Sequence, residues 1–262
     1  MTQPDLRHDP GSGRWSVVAP SRGTRPGAEH TSAGLCPFCA GHEHLTPPET
    51  LRVGDGPTGW DVRVVPNLYP ALERQEVVVH GPAHHESLAD LADATLERVA
   101  EAWQRRAHDT AGNCFAFVNE GDAAGASQPH SHSQLAWLPA AAPPAGELPP
   151  HVPVLERDGL LLACPLAGRG PYELFVAPAA PEGRGLDSDR LGPALRLVAA
   201  AIRRLHTLAD ERLPLNVWLL EGRHWRLELL PRASRLAGLE LGANVFVTTL
   251  APEDAASRLA GL

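Results

Sequence analysis

The sequence predicts an α+β fold made of a duplicated unit, in which antiparallel sheet is flanked by helices. Three observations predict it: short runs rich in β-branched residues, two long amphipathic helical patterns, and the same order of elements in each half of the chain. With 262 residues, of which 43% are hydrophobic, the chain can bury one sizeable core or two small packed halves. We expect an N-terminal half at 1–140, a proline-rich connector at 141–153 and a C-terminal half at 154–262.

The first half begins with loops and continues with strands around one helix. Residues 1–60 are rich in Gly, Pro and His, which predicts irregular structure around a short strand at 15–18. A helix is expected from 86 to about 108, because its apolar residues keep to one helical face: Leu88, Leu91, Leu96, Val99 and Trp103. Strands are expected at 62–65, 76–79, 114–118 and 134–138.

The second half repeats this order after the connector, whose prolines exclude a helix or a central strand. Strands are expected at 160–164, 172–176, 215–220 and 225–229, and a helix at 188–208 carries one apolar stripe. Aligning the halves pairs His130 with His224, His132 with Arg226, and Gln134 with Glu228. The second copy has therefore lost the central histidine of the first.

Composition narrows the class of function. A net charge of −8 and a pI near 5.9 argue against binding nucleic acid or membrane surfaces through bulk charge. There is no lysine, so any phosphate contact comes from arginine, backbone N–H groups or hydroxyls. No apolar run approaches the roughly 20 residues of a membrane span, and the N-terminus lacks the apolar segment of a signal peptide. We expect a cytoplasmic protein without a nucleic-acid or membrane partner.

The motif His130-Ser-His132-Ser-Gln134 carries the clearest chemistry. On a strand, residues two apart point to the same face, so these three side chains would line one surface. Just before them, Gly125-Ala-Ser127 offers backbone N–H groups and a hydroxyl that could approach a phosphate. A neutral imidazole beside such groups is a candidate nucleophile. The alternative is a His-rich strand whose rings are exposed or satisfied in a core; the neighbouring residues favour catalysis.

Cys36-Pro-Phe-Cys39 predicts a tetrahedral zinc site. Two further ligands are needed, and the best candidates are His84 and His130. A redox pair or two buried thiols remain alternatives, and four further histidines compete as ligands: His42, His44, His80 and His85. Such zinc would be structural and would tie the N-terminal loops to the strand that presents His132.

Several ordered motifs along the chain carry a family resemblance. They lie at 9–26, 36–39, 63–72, 82–84 and 230–242, in addition to the His130 motif. Together they make nearly the whole chain similar to galactose-1-phosphate uridylyltransferase, in the transferase branch of the histidine-triad superfamily. The resemblance implies two histidine-triad-like units and a homodimer in which the Glu240 region serves the partner's site.

The resemblance also implies roles for individual residues. Cys36, Cys39, His84 and His130 would bind one structural zinc ion. His132 would be the nucleophile that becomes nucleotidylated, and Gln134 would hold the phosphoryl oxygens of that intermediate. The implied substrate-binding residues are Arg22, Arg25, Asn67 (in the base pocket), Asn119, Gly125, Ser127 and Glu240 (for sugar hydroxyls).

Three departures from the family pattern bear on a second metal site, the nucleophile motif and the base pocket. The second copy reads His224-Trp-Arg226 where some members bind a second metal through a histidine pair, so we expect that site to be absent. Ser131 replaces the usual proline between the two histidines, and its side chain is expected to point away from the site. Leu68 stands where some members have an aspartate, which weakens the case for uracil.

These features predict a hexose-1-phosphate uridylyltransferase-like enzyme of carbohydrate metabolism. It would move a nucleoside monophosphate, UMP in the first instance, between sugar 1-phosphates through a covalent nucleotidyl-His132. A second hypothesis is an ADP-sugar or dinucleoside-polyphosphate phosphorylase or adenylyltransferase of the same superfamily. A third is a non-catalytic, zinc-stabilised nucleotide-binding protein.

Overall fold

A ten-stranded antiparallel sheet forms the centre of the molecule. The computed structural model describes residues 5–19 and 35–260. The strands of the sheet follow the order β3-β4-β5-β7-β6-β11-β12-β10-β9-β8, and a separate hairpin pairs β1 with β2. The strands are β1 Asp5–Asp9, β2 Arg14–Val18, β3 Leu51–Val53, β4 Val62–Pro66, β5 Gln75–Val79, β6 Asn113–Glu120, β7 His132–Leu138, β8 His151–Arg157, β9 Leu160–Pro165, β10 Leu174–Pro178, β11 Leu215–Leu220 and β12 Arg226–Pro231.

Two long helices cover one face of this sheet. They are α1, Asp93–Asp109, and α2, Leu191–Ala209; two short helices follow, α3, Gly238–Ala243, and α4, Pro252–Leu259. The predicted apolar stripe of α2 is buried, with Leu191, Leu195 and Ile202 fully inaccessible to solvent. The two helices and the sheet face beneath them share one hydrophobic core. Among the described residues, no helix combines the length and the apolar composition needed to cross a membrane.

The strand order confirms the predicted α+β fold with internal duplication. Each half contributes five consecutive strands, and the two sets run 3-4-5-7-6 and 8-9-10-12-11 from the edge inwards. α1 lies between β5 and β6 in the chain, and α2 lies between β10 and β11. The halves join where β6 pairs with β11, so the repeat in sequence becomes one continuous sheet.

The first helix begins later than the sequence predicts. A 3₁₀ turn at Leu88–Asp90 precedes α1, and Leu91 is extended between the two. Ser87 caps the turn by accepting the N–H of Ala89 at 3.1 Å, and the carboxylate of Glu120 accepts the N–H of Leu88 at 2.7 Å. These two acceptors satisfy the turn separately from the helix.

Three of the observed strands were not predicted, and a fourth begins two residues later than predicted. β1 and β3 were missed, and β8 begins at His151, within the segment predicted as connector. β8 is an edge strand with an irregular register beside Pro153, which is where a sheet tolerates proline. β10 begins at Leu174 and not at Tyr172, because Tyr172 has a left-handed φ of 59° that no strand accommodates.

A buried ion pair joins α1 to the sheet. Arg106 donates through Nε and Nη2 to the two carboxylate oxygens of Glu76, both at 2.8 Å, and both residues are buried. Replacing Arg106 with Met leaves the Glu76 carboxylate unpaired, so we expect the free energy of unfolding to fall by about 3–5 kcal/mol. Urea denaturation measures this. Arg105→Met is the control, because Arg105 forms an exposed pair with Glu101; equal losses in both variants would contradict the prediction.

The buried carboxyl of Glu120 predicts a pH dependence of stability. Burial raises its pKa from 4.5 to about 7, although Ser87 and the N–H of Leu88 donate to it. Between these two pH values the folded state binds more protons than the unfolded state, so stability falls as pH rises from about 4.5 to 7. The substitution Glu120→Gln removes this pH-dependent loss of stability. Relative to wild type, we expect the variant to gain up to about 3 kcal/mol between pH 5 and 8.

Denaturation of both proteins at the two pH values provides the measurement. Glu211→Gln, which changes an exposed carboxylate in the loop after α2, serves as the matched control and should show no such gain. A constant difference between Glu120→Gln and wild type across this range would contradict the assignment.

Candidate active site

The strand β7 separates two sets of side chains on its two faces. Gln134 and His132 lie opposite Val77 and Val79 of β5, on the face turned away from the long helices. Ser131 and Ser133 lie on the helix side, where both hydroxyls contact the buried ring of His80, at 3.0 and 2.9 Å. Burial holds the pKa of His80 well below its usual value. The neutral His80 ring therefore supports β7 from the helix side.

His132 is buried, and its ring is oriented by the backbone. Nδ1 lies 2.9 Å from the carbonyl oxygen of His130, so Nδ1 carries the proton that it donates to this oxygen. In the neutral ring the lone pair is then on Nε2. The ring of Phe38 packs beside it, with centroids 5.5 Å apart. This is the tautomer that a nucleophilic Nε2 requires.

Gln134 is held by two other amides. Its Oε1 accepts from Asn67 Nδ2 at 3.3 Å and from Gln75 Nε2 at 2.6 Å. The structure shows Asn67 in contact with Gln134, and its base-pocket role stays a prediction. Gln75 was missed by the sequence analysis; its position two residues before Val77 on β5 was the available signal.

Four candidate metal ligands come together. The ligand atoms of Cys36, Cys39, His84 and His130 all lie within 4.8 Å of one another. Cys36 Sγ is 3.5 Å from His130 Nδ1, and Cys39 Sγ is 3.4 Å from His84 Nδ1. The competing histidines 42, 44, 80 and 85 lie outside this cluster, and His42 instead contacts the carbonyl oxygen of Cys36 at 2.8 Å.

The cluster fits a tetrahedral metal ion. Zinc bonds of about 2.3 Å to sulfur and 2.0 Å to nitrogen place S and N ligands about 3.6 Å apart at a tetrahedral angle, close to the distances here. His130 Nε2 lies 3.0 Å from the carbonyl oxygen of Gly81, which fixes Nδ1 as the ligand atom. Burial lowers the pKa of His130 to about 4, which keeps the ring neutral.

The thiols favour a cation as well. Burial, followed by the hydrogen bond and charge of Cys36, raises the pKa of Cys39 to about 11. Two thiolates in this position need a positively charged partner. Binding of a divalent cation would favour deprotonation of both thiols. The described donor set can therefore hold a metal ion.

The loop between β6 and β7 carries the predicted phosphate-binding residues. Gly125 has a left-handed φ of 86° at the end of a 3₁₀ turn, and a Cβ there would meet open space. The half-buried Ser127 follows it. Asn119, at the end of β6, accepts from Asn216 Nδ2 at 2.8 Å, so both asparagines lie on the same face where the two halves join.

Comparison with known proteins shows what the chain is similar to. Residues 70–140 match the family model described as galactose-1-phosphate uridyl transferase, N-terminal domain. The chain resembles members of this family along nearly its whole length. The galactose-1-phosphate uridylyltransferase of Thermotoga maritima is 23% identical to it, over 97% of each chain. The ADP-glucose phosphorylase of Arabidopsis thaliana is 27% identical, over 97% of this chain and 91% of the relative.

Solved structures show the same fold. The crystal structure of an Arabidopsis thaliana ADP-glucose phosphorylase, with ADP-glucose bound, superposes with a TM-score of 0.75, covering 99% of both chains at 24% identity. A uridylyltransferase structure gives a TM-score of 0.78, covering 97% of this chain and 96% of the other at 23% identity. The relatives are enzymes, and this chain is an enzyme of the same nucleotidyltransferase and phosphorylase superfamily.

Three residues assigned by family resemblance are not brought to His132 by described contacts. Arg22 and Arg25 lie outside the described residues. Glu240 lies in α3, where its carboxylate accepts the N–H of Ala237 at 2.9 Å. Its recorded hydrogen bond is therefore local, and its role toward a sugar stays a prediction.

The second half of the chain has a charged network at the positions that align with His132 and Gln134. Arg226 Nε donates to Glu228 at 2.8 Å, and Arg169 Nη2 donates to the same carboxylate at 2.6 Å. His224 Nε2 lies 2.7 Å from the carbonyl oxygen of Pro178. A guanidinium is neither a nucleophile nor a usual metal ligand, so a nucleophilic or metal-binding role for Arg226 is not expected. The absence of a second metal site stays a prediction.

A cavity of about 340 Å³ adjoins Asn119 on the same face of the sheet. Phe117 and Trp218 form aromatic walls, and Arg169 and Arg232 line it as well. The Arg169 guanidinium lies 4.7 Å from the centroid of the Trp218 ring. Aromatic faces beside guanidinium groups suit a ligand that is apolar in part and anionic in part. The sequence analysis did not predict this cavity.

Proposed function

We propose that this chain transfers a nucleoside monophosphate from a nucleotide sugar to a phosphate-bearing acceptor through a covalent intermediate on His132. The observation that carries the proposal is the pairing of an oriented imidazole with an oriented amide on one strand: His132 donates from Nδ1 to a backbone carbonyl, and Gln134 is held by two amides. Both residues lie on the face of the sheet that is turned away from the long helices.

In the first step, the Nε2 lone pair of His132 attacks the α-phosphorus of the donor. A P–N bond forms as the bond from the α-phosphorus to the bridging oxygen breaks. Sugar 1-phosphate leaves with that electron pair. Donors aimed at the transferring phosphoryl group lower the barrier; the proposed donors are the amide of Gln134, the backbone around Gly125 and Ser127, and the side chains of Arg22 and Arg25.

In the second step, an oxygen of the acceptor phosphate attacks the same phosphorus. A P–O bond forms, the P–N bond breaks, and His132 regains its lone pair. A second sugar 1-phosphate gives a new nucleotide sugar, and inorganic phosphate gives a nucleoside diphosphate. The cavity beside Asn119 supports binding of the sugar phosphate, because Trp218 offers a flat apolar face and Arg232 a cation.

One structural zinc ion is the proposed occupant of the Cys36, Cys39, His84 and His130 cluster. When bound, it would supply a rigid tetrahedral link between the N-terminal loop and the strand of the nucleophile. His130 is two residues before His132 and accepts its Nδ1 proton at the carbonyl. The metal site would therefore fix the position of that carbonyl without taking part in the chemistry.

Two donors compete for this site. The uridylyltransferase relatives support UDP-glucose and UMP transfer. A second candidate, phosphorolysis of an ADP-sugar, is supported by the 27% identity to ADP-glucose phosphorylase and by Leu68. This residue follows Asn67 and is exposed, where an aspartate would have offered uracil a polar partner.

Intact-protein mass spectrometry at neutral to alkaline pH tests the proposal and separates the donors. The protein is incubated with UDP-glucose or with ADP-glucose, and His132→Ala serves as control. We expect a gain of one nucleoside monophosphate with one donor, absent from the variant. An adduct that persists in His132→Ala, or no adduct and no turnover with either donor, would overturn the covalent mechanism on His132.

A homodimer is proposed as well. The segment around α3 exposes a row of apolar side chains, among them Leu239, Leu241, Val245 and Val247. Such a patch supports a covered surface in an assembly. Light scattering should give twice the mass of the chain, and a monomer at micromolar concentration would refute it.

A further inference from the structure

Three side-chain amides form a hydrogen-bonded network on the face of the sheet that carries His132. They lie on the strand β7, on the strand β5 and just after β4: Gln134, Gln75 and Asn67. Both Gln75 and Asn67 donate to the single oxygen Oε1 of Gln134, at 2.6 and 3.3 Å. An sp² oxygen has two lone pairs, so these two donors use its full capacity.

Two backbone N–H groups fix which way the side-chain amides of Gln75 and Asn67 face. The N–H of Ala71 donates to Gln75 Oε1 at 2.8 Å, and the N–H of Tyr69 donates to Asn67 Oδ1 at 2.9 Å. A backbone N–H is always a donor, so each side-chain oxygen must face it. The NH₂ groups of both amides are thereby turned to Gln134, whose own oxygen must face them.

We propose that Gln75 and Asn67 are positioning residues that allow Gln134 to present only its NH₂ group to the transferring phosphoryl oxygens. This inference rests on the proposed function, in which Gln134 contacts the phosphoryl group. Donors are what the negatively charged oxygens of the transition state require. An amide turned the other way would place a carbonyl oxygen against them.

This arrangement of amides also affects whether the nucleotidyl intermediate is transferred to an acceptor or hydrolysed by water. A glutamine side chain can orient an attacking water, as in some GTPases. The carbonyl oxygen of Gln134 is already occupied by two donors, so it cannot accept a hydrogen bond from such a water. The nucleotidyl intermediate is therefore kept for an acceptor phosphate.

The test compares Gln75→Met and Gln75→Glu with wild type. Methionine keeps the length of the side chain and removes the donor. A glutamate carboxylate accepts but does not donate, so it draws the NH₂ group of Gln134 toward itself and reverses the amide. Gln104→Met is the matched control, because Gln104 lies on α1 and donates to the carbonyl of Ser188 at 2.9 Å, away from the site.

With the donor that forms the adduct, we expect kcat for transfer to fall about 10-fold in Gln75→Met and about 100-fold or more in Gln75→Glu. We also expect the fraction of intermediate lost to water, measured as released nucleoside monophosphate, to rise several-fold in both variants. The control should match wild type in both readouts. A merely structural role would lower kcat without moving this partition.

A second readout does not depend on turnover. Titration with UMP and with AMP measures binding to the phosphoryl site directly, and Gln75→Glu should weaken binding of the nucleotide that wild type prefers by about 10-fold or more. Unchanged partition and unchanged nucleotide affinity in a folded Gln75→Glu protein would overturn the inference. Failure of wild type to form an adduct would instead count against the proposed function.

Discussion

Replacing His132 with Ala should reduce kcat by at least about 10⁴-fold, because enzymes lose activity on this scale when a covalent nucleophile is removed. Among the described residues, neither Gln134 nor His80 can take its place, because Gln134 is an amide and the ring of His80 lies on the other side of β7. The effect is measured as release of sugar 1-phosphate from UDP-glucose or ADP-glucose in the presence of acceptor.

The same variant should remain folded. The recorded hydrogen bond of the His132 ring to the carbonyl of His130 contributes about 1 kcal/mol, so the melting temperature should fall by only about 2–4 °C. His151→Ala is a close control, because His151 Nδ1 also contacts the carbonyl two residues earlier, at Pro149, 2.8 Å away. Comparable activity in the two variants would rule out His132 as the nucleophile.

Loss of the metal cluster should have the second largest effect. We expect wild type to contain one zinc ion per chain by elemental analysis, and Cys39→Ala to contain essentially none. A metal that binds only the folded state contributes about 4 kcal/mol when its concentration is 1,000 times Kd. For a chain of this size that corresponds to a fall of about 8–16 °C in melting temperature.

Cys114→Ala is the control for this experiment. Cys114 is half-buried on β6 and lies outside the four-residue cluster. The Cys114→Ala variant should retain zinc, and its melting temperature should fall by only the few degrees expected for a small core change. Retention of the metal by Cys39→Ala, or a metal-free wild type with unchanged stability after chelation, would contradict the assignment of the cluster.

The sequence was most informative where one local pattern determines the result. Alternation on β7 predicted that His132 and Gln134 share a face, and the repeat predicted a sheet of two matching halves. The start of α1 could not be predicted, because it depends on Glu120, a residue distant in sequence whose carboxylate holds the preceding turn. Tertiary contacts of this kind override helical periodicity.

The same limit applies to the site. The spacing of Cys36 and Cys39 predicted a metal site, and the choice of His84 over its neighbour His85 relied on family resemblance until the fold placed His84 in the cluster. Gln75 has no motif, and its importance follows from an amide-to-amide contact across two strands. The cavity beside Asn119 forms from both halves, so neither half alone could have indicated it.

The two edges of the sheet restrict how copies of this protein can associate. β3 has only three residues, and β8 carries Pro153 beside an irregular register. A short edge and a proline-bearing edge both offer few N–H and C=O groups in a straight row, which discourages the addition of further strands. Stacking of sheets end to end into fibrils is thereby disfavoured, and productive assembly must use side-chain surfaces elsewhere on the molecule.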